Sequence, residues 1–200
     1  DVYKRQVVSL AIGLFTSRII LSALGVSDYG IYNIVGGFVS MLSLFTISLS
    51  GATSRFITFE LGRGDMERMK KTFATLSTLV YLLAVIVLIL GETVGLWFVK
   101  EYLVIPDERW KAALFVYHCS LLAFIVNLIA LPYNSCVIAH EKMNFFAIVS
   151  VLDSVLKLGI VYMLYISPFD RLRTYAVLLV AIGVITVSYT HLRAHETLAN

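Results

Sequence analysis

Long apolar stretches joined by short polar segments dominate the hydrophobic pattern of this chain of 200 residues. A hydrocarbon core about 30 Å thick is crossed by about 20 apolar residues of helix, at about 1.5 Å per residue. A last apolar stretch begins at about Tyr175 and stops after Thr186. The pattern predicts an all-α fold, a polytopic integral membrane helical bundle of about six transmembrane spans. The five complete stretches are residues 7–24, 34–52, 76–99, 112–139 and 145–166.

Composition agrees with this interpretation. Hydrophobic residues make up 59% of the chain and charged residues 14%, and the mean hydropathy is +0.86. Soluble domains typically carry about 45–50% apolar and about 25% charged residues. The spans are also too many and too close together to be one signal peptide. Composition therefore excludes an ordinary soluble globular protein.

The two ends of the chain carry related nucleotide signatures. The codons GAT GTG TAT AAG AGA CAG encode residues 1–6. One possible coding sequence for the segment from Val187 to Thr197 can be compared with that codon string. Its first letters are the reverse complement of the codon string after the last two letters of that string are removed. Both strings resemble a sequencing-library adapter translated as protein, and such scars are set aside before fold reasoning. We expect residues 1–6, and most of 187–200, to be adapter-derived, and residues 7–186 to be a native half bundle truncated at both ends.

Setting the ends aside removes two apparent signals. His191 and His195 have an i, i+4 spacing that would suit zinc, but both lie in the adapter-like segment. Without the three basic and two acidic residues of these ends, the formal net charge falls from +3 to +2. So small a surplus does not indicate a nucleic-acid partner. Cys119 and Cys136 lie about 25 Å apart along one predicted helix, so neither a disulfide nor a metal site is expected.

Four charged residues lie inside the predicted spans, where charges are costly and usually mark a pathway or a partner. Arg18, in the first span, has no acidic residue three or four positions away. Glu92 lies in the third span. Asp153 and Lys157 are spaced i, i+4 in the fifth span, which predicts an ion pair facing the bundle interior.

The segments between the spans predict local structure and orientation. Gly25 and Asp28 suit a tight connection after the first span. From Asp65 onward, apolar residues recur at helical spacing opposite charges, which predicts a short amphipathic helix at the interface. Pro132 predicts a kink in the fourth span. The Lys and Arg bias between the loops is too small to decide the orientation by the positive-inside rule. Taken with the family resemblance given below, which carries more weight, it places residues 55–71 and 140–144 in the cytoplasm and residues 100–111 and 167–173 outside.

The sequence carries none of the short motifs that indicate catalysis. A nucleophile elbow, a His-Glu-x-x-His zinc motif and a phosphate-binding glycine loop are all absent. His118 and Ser120 point to different helical faces at a spacing of two, and we interpret His118 as a hydrogen-bonded packing residue. We therefore expect no catalytic residue, no metal and no cofactor, and the chain is not expected to be an enzyme.

Four segments, in a fixed order and spacing, carry a family resemblance. They are FTSRIILSALGVSDYGIYN at 15–33, FELGRG at 59–64, ETVGLWF at 92–98, and LPYN at 131–134 followed by IAHEKMN at 138–144. These segments resemble bacterial polysaccharide (O-antigen type) flippases. That family belongs to the multidrug/oligosaccharidyl-lipid/polysaccharide exporter superfamily, together with the multidrug-extrusion (MATE) transporters. The resemblance covers essentially all of residues 7–186.

The resemblance implies a multi-pass protein of the bacterial cytoplasmic membrane and half of a two-bundle, MATE-like transporter. Such flippases move an undecaprenyl-pyrophosphate-linked glycan to the periplasmic leaflet by alternating access, for polysaccharide or lipopolysaccharide biosynthesis. The implied partners are that anionic lipid-linked glycan, membrane lipids and the missing C-terminal half of the same protein.

The implied substrate assigns roles to the charged residues. Arginine and lysine suit a pyrophosphate because fixed positive charges replace its lost hydration. Arg18 is the first candidate to bind it and Lys157 the second, with Arg55 at the cytoplasmic mouth. Glu92 and Asp153 are candidate sites for a coupling ion or proton, since desolvation disfavours the carboxylate form. The structural alternative for Arg18 is pairing with Asp153, Glu92 or Asp28, the last by snorkelling outward.

Three other functions stay open at this point. A drug or cation antiporter of the same superfamily would share the fold and favour an acidic, aromatic cavity. A membrane-embedded enzyme of lipid-linked sugar metabolism would need a convergent acid, base or metal set. A non-transporting scaffold would leave Arg18 unexplained.

Overall fold

The computed structural model describes the backbone of residues 2–140 and 143–199, and the side chains of residues 10, 13–140, 149 and 151–191. Throughout these residues the regular structure is helical, without a strand. The all-α prediction is confirmed. The α-helices are α1 (Val2–Leu24), α2 (Val26–Ser40), α3 (Ser43–Arg63), α4 (Met66–Leu90), α5 (Leu96–Tyr102), α6 (Trp110–Ala139), α7 (Met143–Ile166) and α8 (Arg171–Ala199).

Several helical stretches are long and apolar enough to cross a membrane. α7 coincides with the predicted fifth span, although its side chains at 143–148 and 150 lie outside the described residues. The structure has four long apolar helical stretches, or five if α7 is included. The predicted number of about six transmembrane spans is therefore approximate. A shorter apolar helix covers Gly13–Leu24. The four stretches of membrane length among the described residues are Val26–Arg63, Met66–Tyr102, Asp107–Ala139 and Arg171–His191.

The bounds predicted for the second span are wrong. α2 and α3 follow one another from Val26 to Arg63, with only Met41 and Leu42 in a turn between them. Hydropathy detects the apolar centre, whereas backbone hydrogen bonding continues through the polar residues at both ends. The connection to α1 shrinks to Gly25, whose φ of 83° is accessible to glycine because it lacks a Cβ.

The amphipathic helix predicted from Asp65 is wrong as a separate element. α4 runs without a break from Met66 to Leu90, so the amphipathic turns are the beginning of the third span. Asp65 caps this helix, since its Oδ1 accepts a hydrogen bond from the Arg68 backbone N–H at 3.0 Å. Met69, on the inner face, is fully buried, and the charged residues beside it are exposed.

α6 is the central helix of the bundle and packs against α2, α3, α4, α7 and α8. Pro132 lies inside it and is fully buried, and the helix continues to Ala139. Proline removes one backbone donor from the helical ladder. That loss does not end the helix here.

α2 and α3 form one continuous stretch, as do α4 and α5, and the connections between the resulting stretches gather at two ends. One end, called here the Arg109 end, holds Gly25, residues 103–109 and residues 167–170. The Arg171 guanidinium reaches across this end and donates to the Ala23 carbonyl at 2.9 Å. The other end holds Gly64, between α3 and α4, and His140, at the end of α6. Which end faces the cytoplasm stays a prediction.

α8 does not stop where the sixth apolar stretch was expected to stop. It continues past Thr186 to Ala199. Residues 1 and 200, and the side chains at 2–9 and 192–199, lie outside the described residues. The two segments expected to be adapter-derived, residues 1–6 and most of 187–200, fall largely in these parts of the chain. Their adapter origin stays a prediction.

Candidate functional site

A hollow of about 590 Å³ lies between α2, α6 and α8, with the start of α3 at one side. We call it the α2–α6 hollow. Tyr32 and Phe124 supply aromatic surface to its wall, and none of its lining residues is charged. Its polar lining residues are Asn33, Ser40, Ser43, Thr46, Ser120 and Asn127.

Local hydrogen bonds decide which polar atoms this wall offers. The side-chain amides of Asn33 and Asn127 each donate to the backbone carbonyl four residues earlier, at 2.8 Å. The hydroxyls of Ser40 and Thr46 each donate to a carbonyl three residues earlier, at 2.7 Å. These bonds use the hydroxyl hydrogens of Ser40 and Thr46 and one amide hydrogen of each asparagine, so the second amide hydrogens, the amide oxygens and the hydroxyl lone pairs remain for a ligand. The wall therefore suits a neutral ligand that both donates and accepts hydrogen bonds.

A second hollow, of about 430 Å³, continues from the first between α6, α7 and α8. We call it the α7 hollow. Asp153 and Lys157 lie on its wall. Val187 and Thr190, from the adapter-like segment, line it too. The two hollows share Tyr32, Ala123, Asn127 and Leu179.

The ion pair predicted between Asp153 and Lys157 is confirmed. Lys157 Nζ lies 2.7 Å from Asp153 Oδ2, and the two side chains are 48% and 30% exposed. Mutual neutralisation lowers the cost of placing either charge at membrane depth. The lysine ammonium has three donor hydrogens. One is directed at Asp153, and the other two are available to a ligand in the α7 hollow.

Arg18 lies on the exposed face of α1, away from Ile20 and Ala23, which pack into the bundle. It lines neither hollow. Within the described part of the chain it has no hydrogen-bond or ion-pair partner. The three carboxylates considered as structural partners each contact another base instead, in the pairs Asp153–Lys157, Asp28–Arg109 and Glu92–His118.

Arg55 is also remote from the hollows. It is exposed on α3, whose buried face carries Thr53 and Ile57. The structure therefore brings together only Asp153 and Lys157 of the predicted site residues. Arg18, Arg55 and Glu92 lie apart from them.

Glu92 lies in a π-helical segment, Gly91–Gly95, that joins α4 to α5. Its Oε2 is 3.3 Å from Nε2 of His118 on α6. The other ring nitrogen of His118 is 2.7 Å from the Leu114 carbonyl oxygen, to which it donates. The hydrogen bond predicted for His118 is confirmed, but its side chain is exposed, so the predicted packing role is wrong. Glu92 and His118 are 26 residues apart in the chain, so no local sequence pattern predicted their contact.

Close packing against α6 explains the two glycines of the π-helical segment. The Tyr117 hydroxyl donates to the Gly91 carbonyl at 2.7 Å. A Cβ at Gly91 would lie 2.7 Å from a methyl carbon of Leu121, and a Cβ at Gly95 would collide with the Tyr117 hydroxyl. Single π-helical turns inside helices occur frequently at functional sites. This one places Glu92 against α6.

Arg109 connects three helices at the Arg109 end. It closes the 3₁₀ turn Asp107–Arg109 that leads into α6. Its Nη1 donates to Asp170 Oδ2 at 2.8 Å, and its Nη2 donates to Asp28 Oδ2. We call this three-residue cluster the Arg109 bridge. Sequence reasoning missed it because the partners are 61 and 81 residues away from Arg109.

The described residues contain no group of three or more His, Cys, Asp or Glu that could hold a metal ion. Cys119 lines the α2–α6 hollow and Cys136 is buried, and no disulfide joins them. No family model, no curated protein and no solved structure matches the chain.

Proposed function

We propose that the chain forms part of an exporter that moves an undecaprenyl-pyrophosphate-linked glycan across the bacterial cytoplasmic membrane. The observation that carries the proposal is a continuous polar wall inside a bundle of apolar helices. That wall runs from Asn33 through Asn127 to the Asp153–Lys157 pair. Ionisable side chains at membrane depth, such as Asp153 and Lys157, are costly and commonly mark a substrate or ion pathway.

The α2–α6 hollow fits the glycan portion of such a substrate. Sugar hydroxyls donate and accept hydrogen bonds, which matches the amide hydrogens, amide oxygens and hydroxyl oxygens of its wall. Tyr32 and Phe124 offer flat apolar surface for the faces of sugar rings. The volume of about 590 Å³ lies within the range of about 300–1,000 Å³ that small-molecule sites occupy.

The pyrophosphate would be held outside that hollow, because no cation lines it. Lys157 keeps two donor hydrogens beyond its bond to Asp153. Arg18 offers five N–H donors on the outer face of α1 and lies in one of the segments that carry the family resemblance, residues 15–33. The glycan would thus contact α2 and α6, and the headgroup would contact α7 and α1.

The proposal is tested in a bacterial strain that makes a lipid-linked glycan but lacks its own exporter. The chain is expressed within its full reading frame, and surface glycan is measured with a lectin on intact cells. Asn127→Ala and the neutral double variant Asp153→Asn/Lys157→Gln should each lower surface glycan about tenfold, since a hydrogen bond to a ligand contributes about 1–2 kcal/mol. Lys100→Ala, at an exposed position near the Arg109 end, is the control and should export normally. Normal export by both site variants at equal membrane abundance would contradict the proposal.

A drug or cation antiporter is the second candidate. It is favoured by the lack of a cation in the α2–α6 hollow and by the acceptor oxygens on its wall. The same strains distinguish the two functions. Lower ethidium accumulation without any surface glycan would support the antiporter, and surface glycan with unchanged ethidium would support the flippase.

A further inference from the structure

The Arg109 bridge joins the same three helices that line the α2–α6 hollow. Asp28 lies in the first turn of α2, one turn before Tyr32, which lines the hollow. At about 1.5 Å per residue, the two are about 6 Å apart along the helix axis. Asp170 directly precedes α8, where Ala176 lines the hollow, and Arg109 directly precedes α6. The bridge therefore stands over the hollow at the Arg109 end.

An apolar cluster fills the space between the bridge and the hollow. The cluster draws on all three helices, and its members are fully or nearly fully buried. Close packing of this kind leaves no route for water or a polar solute. Its members within about two helical turns of a bridge residue along the chain include Ile31, Val35, Ala113, Val116 and Leu172.

We propose that the Arg109 bridge is a latch that keeps the α2–α6 hollow closed at the Arg109 end and releases to open it there. Asp28 is the anchor of the latch, since its side chain is only 6% exposed. Arg109 and Asp170 are the releasable part, with side chains 37% and 29% exposed. Water reaches these two groups and competes for their contact.

The position of Arg109 in the chain suits a releasable contact. It stands on a three-residue 3₁₀ turn, and residues 103–106 before that turn have no regular structure. The turn carries the guanidinium away from Asp28 without unwinding α6. Asp170 keeps its second role after release, because its Oδ1 still caps α8 by accepting from the Leu172 N–H at 3.0 Å. Release therefore separates the helices without melting them.

Cys119 provides a native reporter for this latch, since it lines the hollow beneath the bridge. The full chain, with Cys136→Ala, is placed in membrane vesicles and treated with a membrane-impermeant maleimide. The reagent is added to the face from which a cysteine introduced at Glu108 is labelled, which identifies the Arg109 end. Arg109→Gln should raise the labelling rate of Cys119 at least tenfold. Arg109→Lys should give a smaller increase, because lysine keeps the charge but lacks the fork that reaches two carboxylates.

Lys111→Gln is the matched control. It removes one positive charge from the same end at an exposed residue outside the bridge, so labelling should stay at the parental rate. A second variant, Asp28→Asn/Arg109→Gln/Asp170→Asn, avoids an unpaired buried carboxylate and should also label rapidly. Parental labelling rates in both bridge variants would overturn the latch. So would failure of both to accumulate as folded protein, since the bridge would then be a permanent structural tie. Neither result bears on the glycan proposal, because the hollow lining is unchanged.

Discussion

Charge pairing distinguishes the membrane-depth residues of this bundle from one another. Asp153 is neutralised by Lys157, and Glu92 contacts His118. Arg18 has no such partner among the described residues and faces away from the neighbouring helices. An arginine at a helix centre costs about 2.5–3.5 kcal/mol on insertion scales. A residue with that cost and no structural partner is best explained by a ligand or by further protein.

At the scale of single residues, we predict that Arg18 contacts the anionic headgroup of the transported lipid. A charge-assisted hydrogen bond contributes about 1.5–3 kcal/mol, which corresponds to roughly 10- to 100-fold in rate. In the full-length protein, Arg18→Ala should lower glycan export by that factor with unchanged membrane abundance. Arg18→Lys should recover only part of the loss, since it cannot bind a phosphate in bidentate fashion.

Two outcomes would remove the headgroup role of Arg18. One is normal export by Arg18→Ala. The other is disappearance of that variant from the membrane, which would indicate a structural arginine.

At the scale of elements, α6 and the π-helical segment Gly91–Gly95 are in close contact. The extra residue of the π-helical turn brings the backbone close enough for the Tyr117 hydroxyl to bond the Gly91 carbonyl. That approach leaves no room for a Cβ at Gly95. The segment fixes the position of Glu92 relative to His118.

Gly95→Ala should therefore destabilise the protein by about 1–3 kcal/mol, the usual cost of overpacking. The measurement is the loss of folded protein on heating, followed by size-exclusion chromatography in detergent. Gly159→Ala in α7 is the control, because a Cβ there meets nothing within 4 Å. The Tyr117→Phe background removes the clashing oxygen, so Gly95→Ala should destabilise the protein less in that background. An equal loss of stability from Gly95→Ala in both backgrounds would contradict this account of the contact.

Local features of the fold could be predicted from the sequence, and long-range ones could not. Apolar length predicted the membrane helices because burial in lipid selects composition directly. The spacing of Asp153 and Lys157 predicted their ion pair because both lie on one helix. Hydropathy misjudged the ends of α2 and α3, where polar residues stay helical.

The candidate site shows the same limit. Its polar hollows are assembled from α2, α6, α7 and α8, which no local pattern relates to one another. Asn127 carried no signal of its own, yet it lies where the two hollows meet. The partners of Arg109 are likewise brought together only by packing.

At the scale of the whole molecule, the connections lie at two opposite ends. Arg63 and Glu108 are both exposed and lie at opposite ends of the bundle. The small Lys and Arg bias and the family resemblance place Arg63 in the cytoplasm. In a background with Cys119→Ala and Cys136→Ala, a cysteine at Glu108 should react with a membrane-impermeant thiol reagent in intact cells. A cysteine at Arg63 should resist it, and the reverse pattern would invert the orientation.

The central claim is that the bundle carries a lipid-linked glycan through its polar hollow. The most direct measurement uses proteoliposomes that contain the full reading frame and an undecaprenyl-pyrophosphate oligosaccharide with a fluorophore on its glycan. A membrane-impermeant quencher added outside removes only outer-leaflet fluorescence unless the lipid is flipped. We predict that the parental protein exposes the lipid of both leaflets to the quencher and that Asn127→Ala slows this exposure. Loss of outer-leaflet fluorescence alone, at the level of protein-free liposomes, would contradict the account.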